Sequence, residues 1–179
     1  MKSLLTLGVL ITIPTITLAQ EVTPKPDLSD FSFLVGSHKC LSKTYQRDGS
    51  VDEHTALWDG QYILDGFAIA DAYREIDENG TTIRRGSNFR SYDSAANKWV
   101  MRWFDPEASS WMALGMDDKG GVKITDDKIM FEADVPDLRW KIEFNDITDK
   151  GFIWKGSASL DDGENWYDGV QIIHCTRTE

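Results

Sequence analysis

The chain has 179 residues, of which 30 are Asp or Glu and 19 are Lys or Arg, giving a formal net charge of −11. Such an acidic surface repels nucleic acids and anionic membranes, so we expect neither as a partner. The length suits one domain with a sizeable core and leaves no room for a second of similar size.

The first 19 residues have the features of a secretory signal peptide. Lys2 supplies a positive charge, an apolar run extends from Leu4 to Leu18, and Ala19 is the small residue before the expected cleavage point. The run is shorter than the roughly 20 apolar residues that span a bilayer, which argues against a membrane anchor. We therefore expect a secreted or periplasmic protein with no membrane association after cleavage.

A tether at residues 20–30 is expected to precede the folded domain, which we place at residues 31–179. The segment Asp27–Leu34 can form one helical turn with Asp27 or Ser29 as its cap. The aromatic side chains of this turn are expected to plug one end of the domain.

Short alternating segments rich in aromatic and β-branched residues fill the rest of the chain, and Asp-Gly or Asn-Gly pairs separate many of them. These pairs tolerate the positive φ of two-residue hairpin turns and indicate an antiparallel meander. The predicted strands are Gly36–Gln46, Val51–Leu64 with a bulge at Asp59-Gly60, Phe67–Ile76, Thr81–Tyr92, Lys98–Phe104, Trp111–Met116, Gly121–Thr125, Lys128–Ala133, Leu138–Ile147, Gly151–Leu160 and Trp166–Thr176. Two short neighbours among these eleven segments are expected to form one bent strand. The pattern therefore predicts an all-β, single, closed, up-and-down antiparallel barrel of about ten strands.

The only two cysteines of the sequence, Cys40 and Cys175, lie on the first and last predicted strands. In an oxidising compartment such a pair normally forms a disulfide. Since bridged Cα atoms lie within about 7 Å, this bond makes the first and last strands neighbours, as in a closed barrel. His38 and His174 lie close by and suggest zinc, but adjacent strand residues face opposite sides of a sheet. We therefore predict the disulfide and no metal site.

Four short motifs along the chain occur together in one group of barrels: Phe33-Leu34-Val35-Gly36, Leu64-Asp65-Gly66, Arg90-Ser91-Tyr92-Asp93 followed by Trp99 and Trp103, and Asp162-Gly163 before Trp166. On these motifs the chain resembles the lipocalin-like, or calycin, barrels. More narrowly, it resembles an uncharacterised bacterial family of secreted domains of unknown function. The resemblance implies a barrel that binds a small, largely apolar molecule in its internal cavity. We expect no cofactor.

All seven tryptophans lie on or beside the predicted strands, and most are expected to fill the core. A barrel of about ten strands is nevertheless wide enough to keep an internal cavity. An inward arginine would bind a ligand carboxylate there, as the resemblance to fatty-acid-binding barrels implies. The candidate ligand-binding residues are Trp58, Trp99, Trp103 and Trp140, with Arg90 or Arg102 as the anchor.

An enzyme is the alternative hypothesis, because calycin-like barrels also host isomerase, decarboxylase or lyase chemistry. Tyr62, Asp71 or Glu75 would serve as acid or base if buried beside an arginine. However, Asp71 and Glu75 share one strand face with Tyr73, and a solvent-exposed face is the expected arrangement.

Haem binding is a third hypothesis, because the resemblance extends to nitrobindin-like barrels, which bind haem through a histidine on the final strand. It implies His174 on the last strand as the iron ligand. The direction of His174 depends on whether the disulfide lies outside or inside the barrel, which the sequence leaves open. If the bridge lies inside, His174 meets solvent.

The segment Ser159–Trp166 resembles the Asp-box hairpin of sialidase propellers. One copy cannot build a propeller, so the motif indicates a turn whose aspartates bond the backbone.

For the whole domain we expect a monomer whose partner is a small hydrophobic or amphipathic molecule.

Overall fold

The computed structural model describes residues 24–135 and 138–178, and antiparallel strands dominate both ranges. The predicted signal peptide, residues 1–19, and the start of the predicted tether, residues 20–23, lie outside them. Within the described ranges, no helix is long and apolar enough to cross a membrane.

Across the described ranges, eleven strands follow a 3₁₀ helix at Ser29–Leu34. Two further 3₁₀ turns lie at Leu64–Gly66 and Asp117–Lys119. The strands are β1 Gly36–Tyr45, β2 Val51–Ile63, β3 Ala68–Ile76, β4 Thr82–Asp93, β5 Lys98–Asp105, β6 Ser110–Leu114, β7 Lys123–Ile124, β8 Lys128–Val135, β9 Leu138–Thr148, β10 Gly151–Ser159 and β11 Tyr167–Arg177.

Ten of these strands form a closed barrel in the order β6-β5-β4-β3-β2-β1-β11-β10-β9-β8, and β6 pairs with β8 to complete the ring. The prediction of a closed antiparallel barrel of about ten strands is confirmed. The surplus segment is β7, which among the described strands pairs only with β8, as a two-residue side ladder, and is not half of a bent strand.

Asp-Gly pairs shape several hairpin turns as predicted, but Asp59-Gly60 and Asp168-Gly169 lie inside β2 and β11. In the β1–β2 turn, the Asp48 carboxylate accepts hydrogen bonds from the backbone N–H of Ser50 at 2.9 Å and from its hydroxyl at 2.7 Å, while Gly49 has φ +87°. At Asp59-Gly60, the pairing of β2 with β1 and β3 continues without the predicted bulge. Gly60 is needed there for space, because a Cβ atom would lie 2.0 Å from the carbonyl oxygen of Leu34.

The β1–β11 seam carries the predicted disulfide. Cys40 and Cys175 are register partners with Cα atoms 4.1 Å apart, and they are bonded to each other. Both cysteines are buried among the core residues, so the bridge lies inside the barrel. The residues next to them along each strand, such as Lys39 and His174, therefore face outward and are exposed.

The β6–β8 seam is much shorter. Leu114 and Ala133 are its one paired position in the described part of the chain. The backbone N–H of Gly115 also donates to the carbonyl of Glu132 at 2.8 Å. The ring is thus closed by a covalent bond on one side and by a single residue pair on the other.

The 3₁₀ helix at Ser29–Leu34 plugs one end of the barrel, as expected. The Phe31 ring is fully buried and lies 4.7 Å from the Trp99 ring and 6.2 Å from the Phe144 ring. The guanidinium of Arg177 on the last strand donates to the carbonyls of Phe33 at 3.0 Å and Val35 at 2.6 Å. The last strand therefore holds the plug in place by hydrogen bonds.

His38 is the inward-facing histidine of β1 and lies next to the plug. It is 1% exposed, its Nδ1–H donates to the carbonyl of Trp58 at 3.2 Å, and its ring is 5.2 Å from that of Phe152. Within the described part of the chain, its buried Nε2 has no hydrogen-bond partner. Burial lowers the pKa of His38 below 6.5, more than the hydrogen bond to Trp58 raises it.

Acidification is therefore expected to destabilise the fold through His38 at pH values where most carboxylates are still ionised. In the unfolded chain His38 takes up a proton near pH 6.5, whereas in the folded protein it does so only at lower pH. Proton uptake by the unfolded state lowers the free energy of unfolding as pH falls below 6.5, by up to about 1.4 kcal/mol per pH unit. Urea unfolding between pH 4.5 and 8 (a range of ~3.5 units) measures this slope.

The variant His38→Asn keeps a side-chain N–H donor and removes the titrating ring, so its free energy of unfolding should depend less on pH. His174→Asn, a change at the exposed histidine, is the matched control and should keep the wild-type slope. If the free energy of unfolding of His38→Asn depends on pH as steeply as that of wild type, other groups cause the dependence.

Candidate functional site

An internal cavity of about 220 Å³ lies between the plug and the opposite end of the barrel. The guanidinium of Arg90 forms part of its floor and lies 5.2 Å from the Phe31 ring of the plug. Arg84 lies six residues before Arg90 on the same face of β4; it lines the cavity and is half exposed, which marks the open end. The cavity therefore runs from a sealed floor to an accessible mouth.

The lining is divided between the two halves of the barrel. The polar side chains come from β3, β4 and β11, namely Tyr73, Arg84, Asn88, Arg90 and Gln171. The facing half contributes Trp103, Trp140 and Trp154, with Met112, Leu114, Phe131, Ala133 and Ile142. Trp58 on β2 completes a set of four tryptophans around the space. A molecule in this cavity would meet hydrogen-bonding groups on one side and aromatic surface on the other.

Two glycines make room for the indole rings. A Cβ atom at Gly86 would lie 1.9 Å from the Trp103 ring, so only glycine permits this ring position. A Cβ atom at Gly156 would lie 2.6 Å from the Trp154 ring and 2.7 Å from the Trp140 ring. Gly86 and Gly156 thus let the three indoles pack closely against the backbone, and the shape of the apolar wall is largely preformed.

Asp71 organises the polar groups near the floor. Its Oδ1 accepts hydrogen bonds from Trp58 Nε1 at 2.8 Å and from Asn88 Nδ2 at 2.8 Å, and its Oδ2 accepts one from Arg90 Nη1. Asp71 is 1% and Arg90 2% exposed. Burial lowers the pKa of the Arg90 guanidinium to about 9, so it remains a cation at neutral pH and balances the carboxylate.

Glu75 organises a second polar group nearer the mouth. Its Oε1 accepts hydrogen bonds from the Ser42 hydroxyl at 2.6 Å, the Tyr73 hydroxyl at 2.7 Å and Gln171 Nε2 at 2.9 Å. Its Oε2 lies 3.6 Å from Arg84 Nη1. Burial and the charge of Glu75 raise the pKa of Tyr73, so the phenol stays protonated and donates to the carboxylate.

The structure brings four of the six predicted ligand-binding residues to the cavity: Trp58, Arg90, Trp103 and Trp140. Trp99 lies elsewhere, buried at the plugged end where its ring contacts Phe31 and Tyr92. Arg102 is on the outer face of β5 and exposed. Because Arg102 pairs across the strands with Phe89, it lies on the opposite face of the sheet from Arg90.

The expectation that Asp71 and Glu75 face solvent is wrong. Both carboxylates point into the barrel with Tyr73, and Glu75 is 3% exposed. Their partners come from β1, β2, β4 and β11, which makes burial of the charges tolerable. Tyr62, the other acid–base candidate, is 49% exposed and does not line the cavity.

The haem hypothesis for His174 is contradicted by its direction. The disulfide occupies the inner face at this point, so His174 lies outside in a shallow groove beside Lys39, Thr55 and Thr176. Among the described residues, no group of three or more His, Cys, Asp or Glu side chains is arranged to hold a metal ion.

Most lining residues were not among the predicted site residues, and those with a polar or indole side chain include Arg84, Asn88, Trp154 and Gln171. Strand alternation carries a signal for the first two, because Arg84, Asn88 and Arg90 share one face of β4. Gln171 similarly shares a face of β11 with Cys175. This signal becomes usable only once one residue of each strand is known to face inward.

The Asp-box-like segment forms the predicted turn between β10 and β11, away from the cavity. The Ser159 hydroxyl accepts a hydrogen bond from the Gly163 N–H at 2.8 Å, and Asp161 accepts one from the Asn165 N–H at 2.8 Å. Hydrogen bonds from Asn165 lower the pKa of Asp161 to about 2. The aspartate is engaged in holding the turn.

No protein-family model matches the sequence, and no curated protein is significantly similar to it. Solved structures do share its architecture. An S-type phycobiliprotein lyase from Guillardia theta superposes with a TM-score of 0.56 at 12% sequence identity, over 84% of this chain and 92% of the lyase chain. The protein Rv2717c from M. tuberculosis superposes with a TM-score of 0.57 at 10% identity, over 85% of this chain and 97% of its own. Together with the closed ten-strand ring, these likenesses show that the fold is a lipocalin-like, or calycin, β-barrel.

Proposed function

We propose that this protein is an extracytoplasmic binding protein that holds a small, compact and largely apolar molecule in its internal cavity. The observation that carries the proposal is the cavity itself, preformed by four tryptophans and closed at its floor by the Asp71–Arg90 pair. Sites of this kind, apolar with a few fixed polar groups, are typical of small-molecule binding.

The size of the cavity favours a compact ligand. Its volume of about 220 Å³ is below the range of about 300–1,000 Å³ that drug-sized ligands occupy. Indole rings held against Gly86 and Gly156 offer flat aromatic surface. A planar molecule of one or two rings fits such walls best, because aromatic faces gain most from stacked or edge contacts.

A carboxylate on the ligand is not required. Arg90 is already paired with Asp71, and Arg84 with Glu75. Arg102, the other proposed anchor, lies outside the barrel. The two ion pairs leave the cavity without an uncompensated charge, which favours a neutral ligand over an ionised one.

The cavity geometry also favours binding over the enzyme hypothesis. An acid–base catalyst needs a free proton or lone pair directed at the substrate. The Tyr73 proton is donated to Glu75, and Glu75 Oε1 already accepts three hydrogen bonds. One structural neighbour is a lyase, so the fold alone does not decide between the two functions.

The proposed location outside the cytoplasm has two supports. A disulfide between buried cysteines persists in oxidising compartments. The first 19 residues have the pattern of a signal peptide. Microscopy or fractionation of a tagged full-length chain tests this part of the proposal.

Filling the cavity is expected to abolish ligand binding. Ala133 is fully buried, lines the cavity and pairs across the strands with Trp140, so Ala133→Phe places a ring in the ligand space. We expect a loss of more than about tenfold in affinity, with about 1–3 kcal/mol of destabilisation from overpacking. Titration with 2-naphthol in a calorimeter measures the affinity.

Ala113→Phe is the matched control, because Ala113 lies on the outer face of β6 and the added ring would not enter the cavity. Native mass spectrometry of protein purified from its own host provides an independent test through the mass of a retained molecule. If Ala133→Phe binds like wild type, the ligand is not held in this cavity. If wild type retains no molecule and binds no apolar probe, the binding proposal fails.

A further inference from the structure

We propose that the amide oxygens of Asn88 and Gln171 select ligands that carry an N–H or O–H donor on one edge of a planar apolar ring system. This inference rests on the proposed binding function and specifies the class of ligand. It is carried by the orientation that two buried carboxylates impose on the two amides.

An ionised carboxylate can only accept hydrogen bonds. Asn88 Nδ2 lies 2.8 Å from Asp71 Oδ1, and Gln171 Nε2 lies 2.9 Å from Glu75 Oε1. Each amide must therefore turn its NH₂ group to the carboxylate, since the opposite orientation would place two acceptors in contact. Gln171 Nε2 also lies 3.0 Å from the Ser42 hydroxyl, so both of its protons have a partner.

The carbonyl oxygens of the two amides are left free. Within the described part of the chain, neither Asn88 Oδ1 nor Gln171 Oε1 has a protein hydrogen-bond partner. Both side chains line the cavity, and the residues are only 5% and 7% exposed. The cavity wall thus presents two acceptors whose matching donors are supplied by water or by a ligand.

Acceptors of this kind discriminate between ligands. A ligand without a donor makes no hydrogen bond to the acceptor, and it also displaces the water that the acceptor would otherwise bind. Both effects lower its affinity. The aromatic wall accepts the flat body of either ligand equally. Selectivity therefore depends on the donor at the ligand edge, and Asp71 and Glu75 act as positioning residues through the amides.

Two probes of the same ring system test the inference: 2-naphthol, which has an O–H donor, and 2-methoxynaphthalene, which has none. We expect the wild-type protein to bind 2-naphthol about tenfold more tightly by calorimetry. In the variant Asn88→Leu/Gln171→Met the preference should disappear. The affinity for 2-naphthol should fall, while that for 2-methoxynaphthalene should rise, because this probe no longer buries two unpaired acceptors.

The variant Glu75→Gln separates positioning from simple packing. It keeps the side-chain shape but can donate a hydrogen bond, so the Gln171 amide is no longer forced to point its NH₂ group at position 75. We expect the preference for 2-naphthol to weaken by about threefold or more in this variant. Near-UV circular dichroism establishes that each variant retains its tertiary packing, and a preference that stays at the wild-type value in folded Glu75→Gln would overturn the positioning role.

The results distinguish this inference from the proposed function. If wild-type protein binds both probes equally, the cavity binds ligands and the selection by amide oxygens is wrong. If it binds neither probe and retains no molecule from its host, the binding function fails and the inference fails with it.

Discussion

Replacing Arg90 with methionine is expected to lower the free energy of unfolding by about 3–5 kcal/mol, because the change leaves the Asp71 carboxylate buried without its counter-charge. The remaining hydrogen bonds from Trp58 and Asn88 do not neutralise that charge. The Arg90 guanidinium also separates the plug from the cavity, so its loss removes packing against Phe31. Urea unfolding followed by tryptophan fluorescence measures the change.

Arg102→Met is the matched control, since Arg102 lies on the adjacent strand, faces outward and is exposed. Its effect should stay within about 0.5 kcal/mol. The double variant Asp71→Leu/Arg90→Met removes both charges and should recover part of the loss, because an isolated buried charge costs more than an apolar replacement of the pair. If Arg90→Met and Arg102→Met are equally stable, the Asp71–Arg90 pair is not structurally important.

Removing the disulfide is expected to cost a similar amount. Cys40 and Cys175 are 135 positions apart, and the chain-entropy model assigns about 5 kcal/mol to a loop of that length. Measured losses for native disulfides are typically about 2–5 kcal/mol, which we expect for Cys40→Ala/Cys175→Ala. Equilibrium unfolding of wild type and variant, each with and without dithiothreitol, gives the value.

Reductant provides the internal control for this experiment. Dithiothreitol should shift the unfolding midpoint of the wild-type protein and leave that of the double variant unchanged. Intact mass after alkylation of the non-reduced protein should show no modified cysteine. Two freely alkylated thiols in exported protein would contradict the bridge between β1 and β11.

Strand positions could be predicted closely from the sequence because local signals determine them. The first strand was expected at Gly36–Gln46 and is found at Gly36–Tyr45, and the ninth was expected at Leu138–Ile147 and is found at Leu138–Thr148. Turn residues such as Asp48-Gly49 end the alternation at defined points. The two cysteines then indicated which strands close the ring.

The inward face of β3 could not be predicted, because it is determined by residues distant in sequence. One face of this strand carries Asp71, Tyr73 and Glu75, and the other carries Ala70, Ala72 and Arg74. Local hydrophobicity places the carboxylates outside. They lie inside because Arg90, Ser42 and Gln171 approach from other strands and satisfy them.

Most of the polar residues that line the cavity were unpredictable for the same reason. Trp58, Trp103 and Trp140 were expected to line it because large aromatic residues fill barrel interiors. The amides of Asn88 and Gln171 gave no such signal, since the sequence shows neither the carboxylates that orient them nor the space they face. Polar interior groups become recognisable only when the register of several strands is known.

The two unequal seams of the ring also have a consequence for folding kinetics. Pairing β1 with β11 joins the two ends of the domain, and such long-range contacts slow folding because the loop-closure entropy is lost before the contacts form. Once the disulfide exists, this pair is held together even in the unfolded chain. The remaining closure, Leu114 with Ala133, joins strands separated only by the short region around β7. The oxidised protein therefore refolds with a much lower effective contact order than the reduced one.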